Sequence, residues 1–468
     1  AGKLIPEIKF TSTAVGTTTY AWTNDNTSIG SILASGTGNI PAFSAINTGT
    51  IPQIATITVT PTYIDNGFSC PGPEKTFTIT VNPAAEVDQP NDEVFCASEF
   101  AVINFTTSNT VGTTTYDWEN SNTAIGLTNL NGSGNSITFT TTNTGTTPIT
   151  STLIVTPTFS YNGVDCVGPN KVFTITVNPN ADMIPPASQT LCNGDPTTVD
   201  FATSNSVGTT TYAWTNNTPS IGIPASGVGS IPVFSVVNTG NAPITASLSV
   251  TPTFTNAGVA CVGPTRTFTI TVNPTATVNP VAAIQVCDGV RTNPIQFTSP
   301  TTGGTIVYSW VNSNTAIGLG ASGVGNIPSF TAINSTSVPI IATITVTPTY
   351  TNGGISCTGS PRSFTITVLP LPQTRFRVTP DSACAPMVVT FTNLTQYADT
   401  YQWLLNNVQF STLQTPTPMI LSQAGTTYTF TVVATTLSLL LGWLVSSLLF
   451  IPALVYAVFI LIASSVIG

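Results

Sequence analysis

The chain has 468 residues, room for three to five ordinary domains, and only 6% of them are charged. Eighteen acids against nine bases leave a net charge of −9, which would repel a phosphate backbone and argues against a nucleic-acid partner. Histidine is absent, so neither a Ser-His-Asp nor a Cys-His catalytic constellation can be assembled, and no enzyme activity and no cofactor is expected.

From the N-terminus, the first readable element is Thr19-Tyr20-Ala21-Trp22. It returns as Thr115-Tyr116-Asp117-Trp118, Thr211-Tyr212-Ala213-Trp214 and Val307-Tyr308-Ser309-Trp310, with each Trp 96 residues after the last. A period of that length is a whole β-sandwich domain. The Gly-rich Ala34-Ser35-Gly36-Thr37-Gly38-Asn39 lacks the Lys and the strand-to-helix setting of a phosphate loop, and is expected to be a β-turn or bulge loop. In Ala55-Thr56-Ile57-Thr58-Val59-Thr60-Pro61-Thr62-Tyr63 apolar side chains take the odd positions and threonines the even ones. Phe77-Thr78-Ile79-Thr80-Val81 alternates in the same way, with one face inward and Thr on the wet side. A Gly/Pro/Cys loop joins the two strands. Each repeat therefore reads as about seven short strands in two antiparallel sheets, with Trp22, Trp118, Trp214 and Trp310 in the core against Phe77, Phe173, Phe268 and Phe364. The tyrosines two residues before each Trp share its strand face, so burial is their expected fate too.

The closing strand ends in Val81-Asn82-Pro83, Val177-Asn178-Pro179, Val272-Asn273-Pro274 and Val368-Leu369-Pro370. Proline cannot donate to a ladder, so each strand stops there and a short, stiff junction begins. This places repeats at 1–85, 86–180, 181–275 and 276–371, then an incomplete fifth unit at 372–434 and a hydrophobic tail at 435–468. Short Pro-containing junctions favour a semi-rigid rod, very roughly 200 Å long for five units. The acidic cluster Glu86, Asp88, Asp92 and Glu93 does not recur at the other junctions, which suits a solvated linker better than a calcium site.

Eight cysteines stand at 70, 96, 166, 192, 261, 287, 357 and 384. Pairing neighbours across a junction (Cys166 with Cys192, for example) would use all eight. It would also demand that a full closing strand be spanned, about 25 Å or more, where a disulfide needs Cα atoms within about 7 Å. The expected bonds are therefore Cys96–Cys166, Cys192–Cys261 and Cys287–Cys357, with Cys70 and Cys384 left as thiols. Cys70 then wants a partner near position 0, as if the first repeat lacked its opening strand. Disulfides imply an oxidising compartment. Structural zinc is disfavoured by the absence of CxxC and of histidine, so no metal is expected.

The run Cys287-Asp288-Gly289, Tyr308-Ser309-Trp310, Ala316-Ile317-Gly318-Leu319, Ala321-Ser322-Gly323-Val324-Gly325-Asn326-Ile327-Pro328, Ile344-Thr345-Val346-Thr347-Pro348 and Cys357-Thr358-Gly359 resembles the PKD-like repeat of Bacteroidota surface proteins. Giant adhesins of the gliding-motility type carry many such repeats, and the resemblance covers roughly residues 1–371. Thr379-Pro380-Asp381-Ser382-Ala383-Cys384-Ala385-Pro386, Val388-Val389-Thr390-Phe391 and Tyr401-Gln402-Trp403 resemble a more ordinary PKD domain, with Trp403 as its core Trp. Here Leu404-Leu405-Asn406-Asn407 replaces the usual acidic-glycine turn. The resemblance implies an all-β array of immunoglobulin-like sandwiches, a secreted and surface-displayed protein exported by the type IX system, and adhesive or spacer repeats that meet extracellular surfaces or glycans. A carbohydrate-binding accessory array is the alternative.

Leu437 to Ala463 is 27 residues without a charge, longer than the ~20 a membrane helix needs, with Pro452 midway. It is expected to be a transmembrane helix that anchors the array; a foreign terminus or a packed hydrophobic hairpin are the other readings. It begins before the fifth unit has a last strand.

Overall fold

A computed structural model describes residues 2–423, 426–435 and 461–467. The chain is all-β, a tandem series of immunoglobulin-like sandwiches. Repeat 2 serves as the pattern. Its opening strand is Glu93–Cys96, its Trp strand Thr113–Asn120 and its long strand Ile149–Tyr161. A short arm strand, Val164–Val167, and the closing strand, Lys171–Asn178, complete that sheet together with Asn131–Ser133. The order is Asn131–Ser133, Trp strand, long strand, closing strand, opening strand, with the arm strand on the same edge of the long strand as the closing strand. Phe100–Asn104 and Ser136–Thr140 make a separate two-stranded sheet that lids the core.

Two features depart from the expectation of two purely antiparallel sheets. The division is six strands against two, and the opening strand lies parallel to the closing strand, with Cys96 opposite Asn178. The alternation itself is kept: Ala55, Ile57 and Val59 are buried while the intervening threonines are half-exposed.

The core is the Trp. Trp22, Trp118, Trp214 and Trp310 are 3–7% exposed, and each stands in register with a glycine, as Trp118 does with Gly132. A Cβ on Gly132 would lie 2.3 Å from the Trp118 ring, so the indole lies flat on bare backbone. Gly36, Gly227 and Gly323 repeat that contact. The Gly-rich phrase is thus neither a cradle nor merely a turn: its first glycine is the seat of the indole. Beside it, Tyr116 and Phe173 both pack on Phe105, with ring centroids 5.4 and 6.4 Å away. The same trio recurs in every repeat, from Phe10, Tyr20 and Phe77 to Phe297, Tyr308 and Phe364. Burial is the main reason the phenols of Tyr116, Tyr212 and Tyr308 hold their protons above the usual pKa.

The fifth unit is smaller, with Trp403 fully buried and donating Nε1–H to the Leu413 carbonyl at 3.0 Å. Asn406 and Asn407 both adopt positive φ in the tight turn between Thr400–Leu405 and Val408–Ser411, the conformation that a two-residue hairpin requires. Its last strand is present after all: Leu461–Ile467 pairs antiparallel with Tyr428–Thr435. The tail reading must be corrected to that extent, because residues 461–463 had been placed in a membrane helix. The remainder of that expected helix, 436–460, lies outside the described residues. Among the described residues no helix is long and apolar enough to cross a membrane.

Candidate functional site: the junction between repeats

The junctions from repeat 2 to 3 and from repeat 3 to 4 are built from three pieces of sequence, and the junction from repeat 1 to 2 shares the first two. The first is the Asn before the junction proline. Asn178 is fully buried and donates Nδ2–H to the Asn256 carbonyl of the next repeat at 3.1 Å, while Asn256 returns a bond to Asn178 Oδ1 at 2.9 Å. Asn273 and Asn352 repeat the exchange at 3.2 and 2.9 Å. Asn82 donates to the carbonyls of Tyr161 and Val164, both at 3.1 Å. A buried amide with its donors so committed holds the turn at the tip of the next repeat's arm.

The second piece is the glycine two residues after the arm cysteine. A Cβ on Gly168 would sit 1.7 Å from the carbonyl oxygen of Ala85, and Gly263 and Gly359 meet Ala181 and Ala276 at 1.9 and 2.0 Å. Those alanines are almost wholly buried. Only glycine lets the linker backbone lie directly on the arm. Loop contacts add to this, with Ser206 N–H donating to the Thr146 carbonyl at 3.0 Å and Thr302 N–H to the Asn241 carbonyl at 2.7 Å. At the same interface Phe159, Phe254 and Tyr350 of the long strands are fully buried.

The third piece is covalent. Cys96 is bonded to Cys261, with Cα atoms 5.4 Å apart, and Cys192 to Cys357 at 5.6 Å. Each bond joins the opening strand of one repeat to the arm of the next. The expected bonds Cys96–Cys166, Cys192–Cys261 and Cys287–Cys357 are not formed, and the parallel opening strand is the reason. Cys96 stands opposite Asn178 at the far end of the closing strand, while Cys166 stands opposite Phe159 at the other end of the sheet. Eleven residues of the long strand separate those levels, about 35 Å. The pole that holds Cys96 is the pole on which the next repeat's arm lands.

The other cysteines fall as follows. Cys70 and Cys384 are exposed thiols, Cys166 is a half-buried thiol, and Cys287 is buried in the opening strand of repeat 4. Non-reducing peptide mapping should recover Cys96 linked to Cys261 and Cys192 linked to Cys357. A Cys96–Cys166 peptide in their place would return the bond to the interior of a repeat and refute the junction.

The acidic cluster is spent on separate partners. Ser108 donates to Glu86 and Thr106 to Asp88, both at 2.6 Å, and the Thr174 amide donates to Asp92 at 2.6 Å. Among the described residues no group of three or more acids, cysteines or histidines converges on a point where a metal ion could sit. The recurring tyrosines are packed in the cores, so they do not line up as a sugar-stacking face.

Sequence reasoning found the buried tryptophans but missed the glycines that seat them and the role of the junction asparagines. Their signal was present: Asn precedes the proline at 82, 178 and 273, and Leu369 replaces it where the following unit has no arm cysteine.

No protein-family model matches the chain, and no curated protein matches it. Among solved structures, the human desmocollin-1 ectodomain is similar at 12% identity over 91% of each chain, with a TM-score of 0.26. An ectodomain fragment of ICAM-5 is 11% identical over 82% of this chain and 98% of its own, TM-score 0.30. The sidekick-1 immunoglobulin domains 1–5 are 10% identical over 92% of each chain, TM-score 0.24. Such scores carry no argument, and the fold rests on the strand order above.

Proposed function

We propose that the chain is a non-enzymatic extracellular stalk whose repeats hold an adhesive surface at a distance. The observation that carries this reading is the staple at the junctions from repeat 2 to 3 and from repeat 3 to 4: a disulfide crosses each, beside a buried asparagine pair and a glycine contact. Domains linked by short polar interfaces move relative to one another by default, and a covalent cross-tie at the far side of the linker removes that freedom. Disulfides support an oxidising compartment, outside the cytosol, for the array. The low charge and threonine-covered faces suit a surface that meets water and other surfaces without strong electrostatic attachment. Many weak contacts along such an array would gain from high effective concentration. The resemblance to PKD-like repeats adds a setting: a Bacteroidota cell-surface adhesin of the gliding-motility type, exported by the type IX system, with glycans or other extracellular surfaces as partners.

Negative-stain electron microscopy tests the stalk. Oxidised particles should be straight rods, and a reductant should broaden their bend angles while the far-ultraviolet β signal persists. Beads that bend equally with and without reductant would refute it. Binding of isolated repeats to a glycan array, in rods of either kind, would favour the carbohydrate-binding alternative.

A further inference from the structure

Of the described phenylalanines only Phe68 and Phe100 are exposed, Phe100 at 68%. Phe68 sits at the tip of an arm, opposite Asp65. Phe100 opens the two-stranded sheet of repeat 2, where it stands opposite Thr140, with Val102 opposite Thr138 and Asn104 opposite Ser136. Opposed residues of an antiparallel pair share a face, and Ala101, Ile103, Ile137 and Phe139 on the other face are buried. The six outer residues are all exposed. They form one strip, with Phe and Val along one strand and hydroxyls along the other. None of the six is charged, although residues 86–180 hold eight acids against a single lysine.

The strip is also held in place. Thr141, which follows it, is fully buried; its hydroxyl donates to the Cys96 carbonyl at 2.6 Å, and the Glu99 amide donates to its Oγ1 at 3.0 Å. Cys96 is the residue stapled to repeat 3, so the end of the strip that carries Phe100 is tied to the rod. Pro196 and Arg291 stand at the corresponding positions of repeats 3 and 4, so among these three repeats only the second has the ring. We propose that this strip binds a neutral polysaccharide with equatorial hydroxyls, stacking one sugar ring on Phe100. The proposal rests on the glycan partner named above and gives it a place. Such a sugar turns axial C–H bonds to its flat faces and hydroxyls to its rim. A ring laid on Phe100 buries a flat face against the aromatic, and its rim reaches Thr140, whose Cβ is about 5 Å away across the ladder. Val102, Thr138 and Asn104 offer the next ring the same combination of apolar floor and polar edge. An acidic polysaccharide is disfavoured, because repeat 2 as a whole is strongly acidic. A preformed strip loses little freedom on binding, and many rods on one surface would multiply a weak contact.

The test titrates the full chain, in mild detergent, with cellohexaose and follows the methyl resonances of Val102, Thr138 and Thr140. Those three should shift, and Phe100→Ala should weaken the binding at least tenfold. Phe100→Trp should keep it, and Phe68→Ala should leave it unchanged. Hexagalacturonate, an acidic hexasaccharide, should neither shift the methyls nor compete. Because Phe100 is exposed, its removal should not unfold the repeat, and unchanged amide exchange at Ala101 and Ile103 verifies that. Wild-type affinity in the Phe100→Ala protein would overturn the platform while leaving a glycan partner in place elsewhere. Failure of the parent to bind cellohexaose, xylohexaose and laminarihexaose alike would overturn both, with the stalk still judged by its bend angles. Concentration-dependent dimerisation that Phe100→Ala abolishes would make the strip a contact between two copies, and would overturn the proposal too.

Discussion

Replacing Trp310 by alanine should destabilise repeat 4 by about 3–5 kcal/mol, the cost of emptying a large aromatic site in a core that relaxes only in part. The ring is 5% exposed and lies between the Gly323 backbone and a core that includes Ile344, Val346 and Phe364. Its Nε1 is buried without a hydrogen-bond partner, whereas Trp214 donates to the Gly229 carbonyl at 3.1 Å. The contribution of Trp310 is therefore shape and apolar area, with no bond to lose. Because an array of repeats need not melt in one step, the effect is best read locally, by amide exchange in the Trp strand Thr305–Asn312. Gly323→Val should produce a loss of the same kind from the opposite side, since its Cβ would stand 2.3 Å from the indole. Unchanged exchange in the Trp310→Ala protein would place the ring outside the core and reopen the case for a sugar-binding face.

The second large effect is expected from Gly263→Val. A Cβ there would meet the Ala181 carbonyl at 1.9 Å, and that carbonyl belongs to a buried linker that cannot retreat into solvent. The arm should fail to seat, and the yield of Cys96–Cys261 should fall more than tenfold while Cys192–Cys357 persists. In the chain-entropy model a bond that closes a loop of this size contributes up to about 5 kcal/mol, so its loss should also lower the denaturant midpoint of the joined pair. Gly320→Ala is the control, because nothing lies within 4 Å of a Cβ at that position. Wild-type yield of Cys96–Cys261 in the Gly263→Val protein would mean that the bond forms without close seating of the arm.

The Trp spacing and the alternation in Ala55–Tyr63 made the repeat and its inward face legible, because a period of 2 admits one strand face and no other. The cysteine pairing was not legible, for a reason built into tandem arrays: a separation is known only to within one period. Cys96 to Cys166 is 70 residues and Cys96 to Cys261 is 165, and the two arm cysteines differ only by which repeat they belong to. Choosing between them needed the direction of the opening strand, and four residues such as Glu93-Val94-Phe95-Cys96 do not state whether they run parallel or antiparallel to a neighbour. Hydropathy likewise failed to separate strand from helix at Leu461–Ile467, since a short apolar run fits either.

The staggered disulfides also change what happens when the ends are pulled. Along the backbone, Cys96 and Cys357 are 261 residues apart, a contour of roughly 900 Å when fully drawn out. The bonds Cys96–Cys261 and Cys192–Cys357 interleave, so tension can cross from repeat 2 to repeat 3 at the first, traverse the 69 residues between Cys192 and Cys261, and cross to repeat 4 at the second. That load path is only about 240 Å long. Most of the polypeptide in those three repeats is thereby relieved of tension, and an opening sandwich can release into the tether no more than the 69 residues between Cys192 and Cys261. An array tied in this way would reach its limit of extension early and hold its length as a strap does, with its repeats free to refold once the pull relaxes.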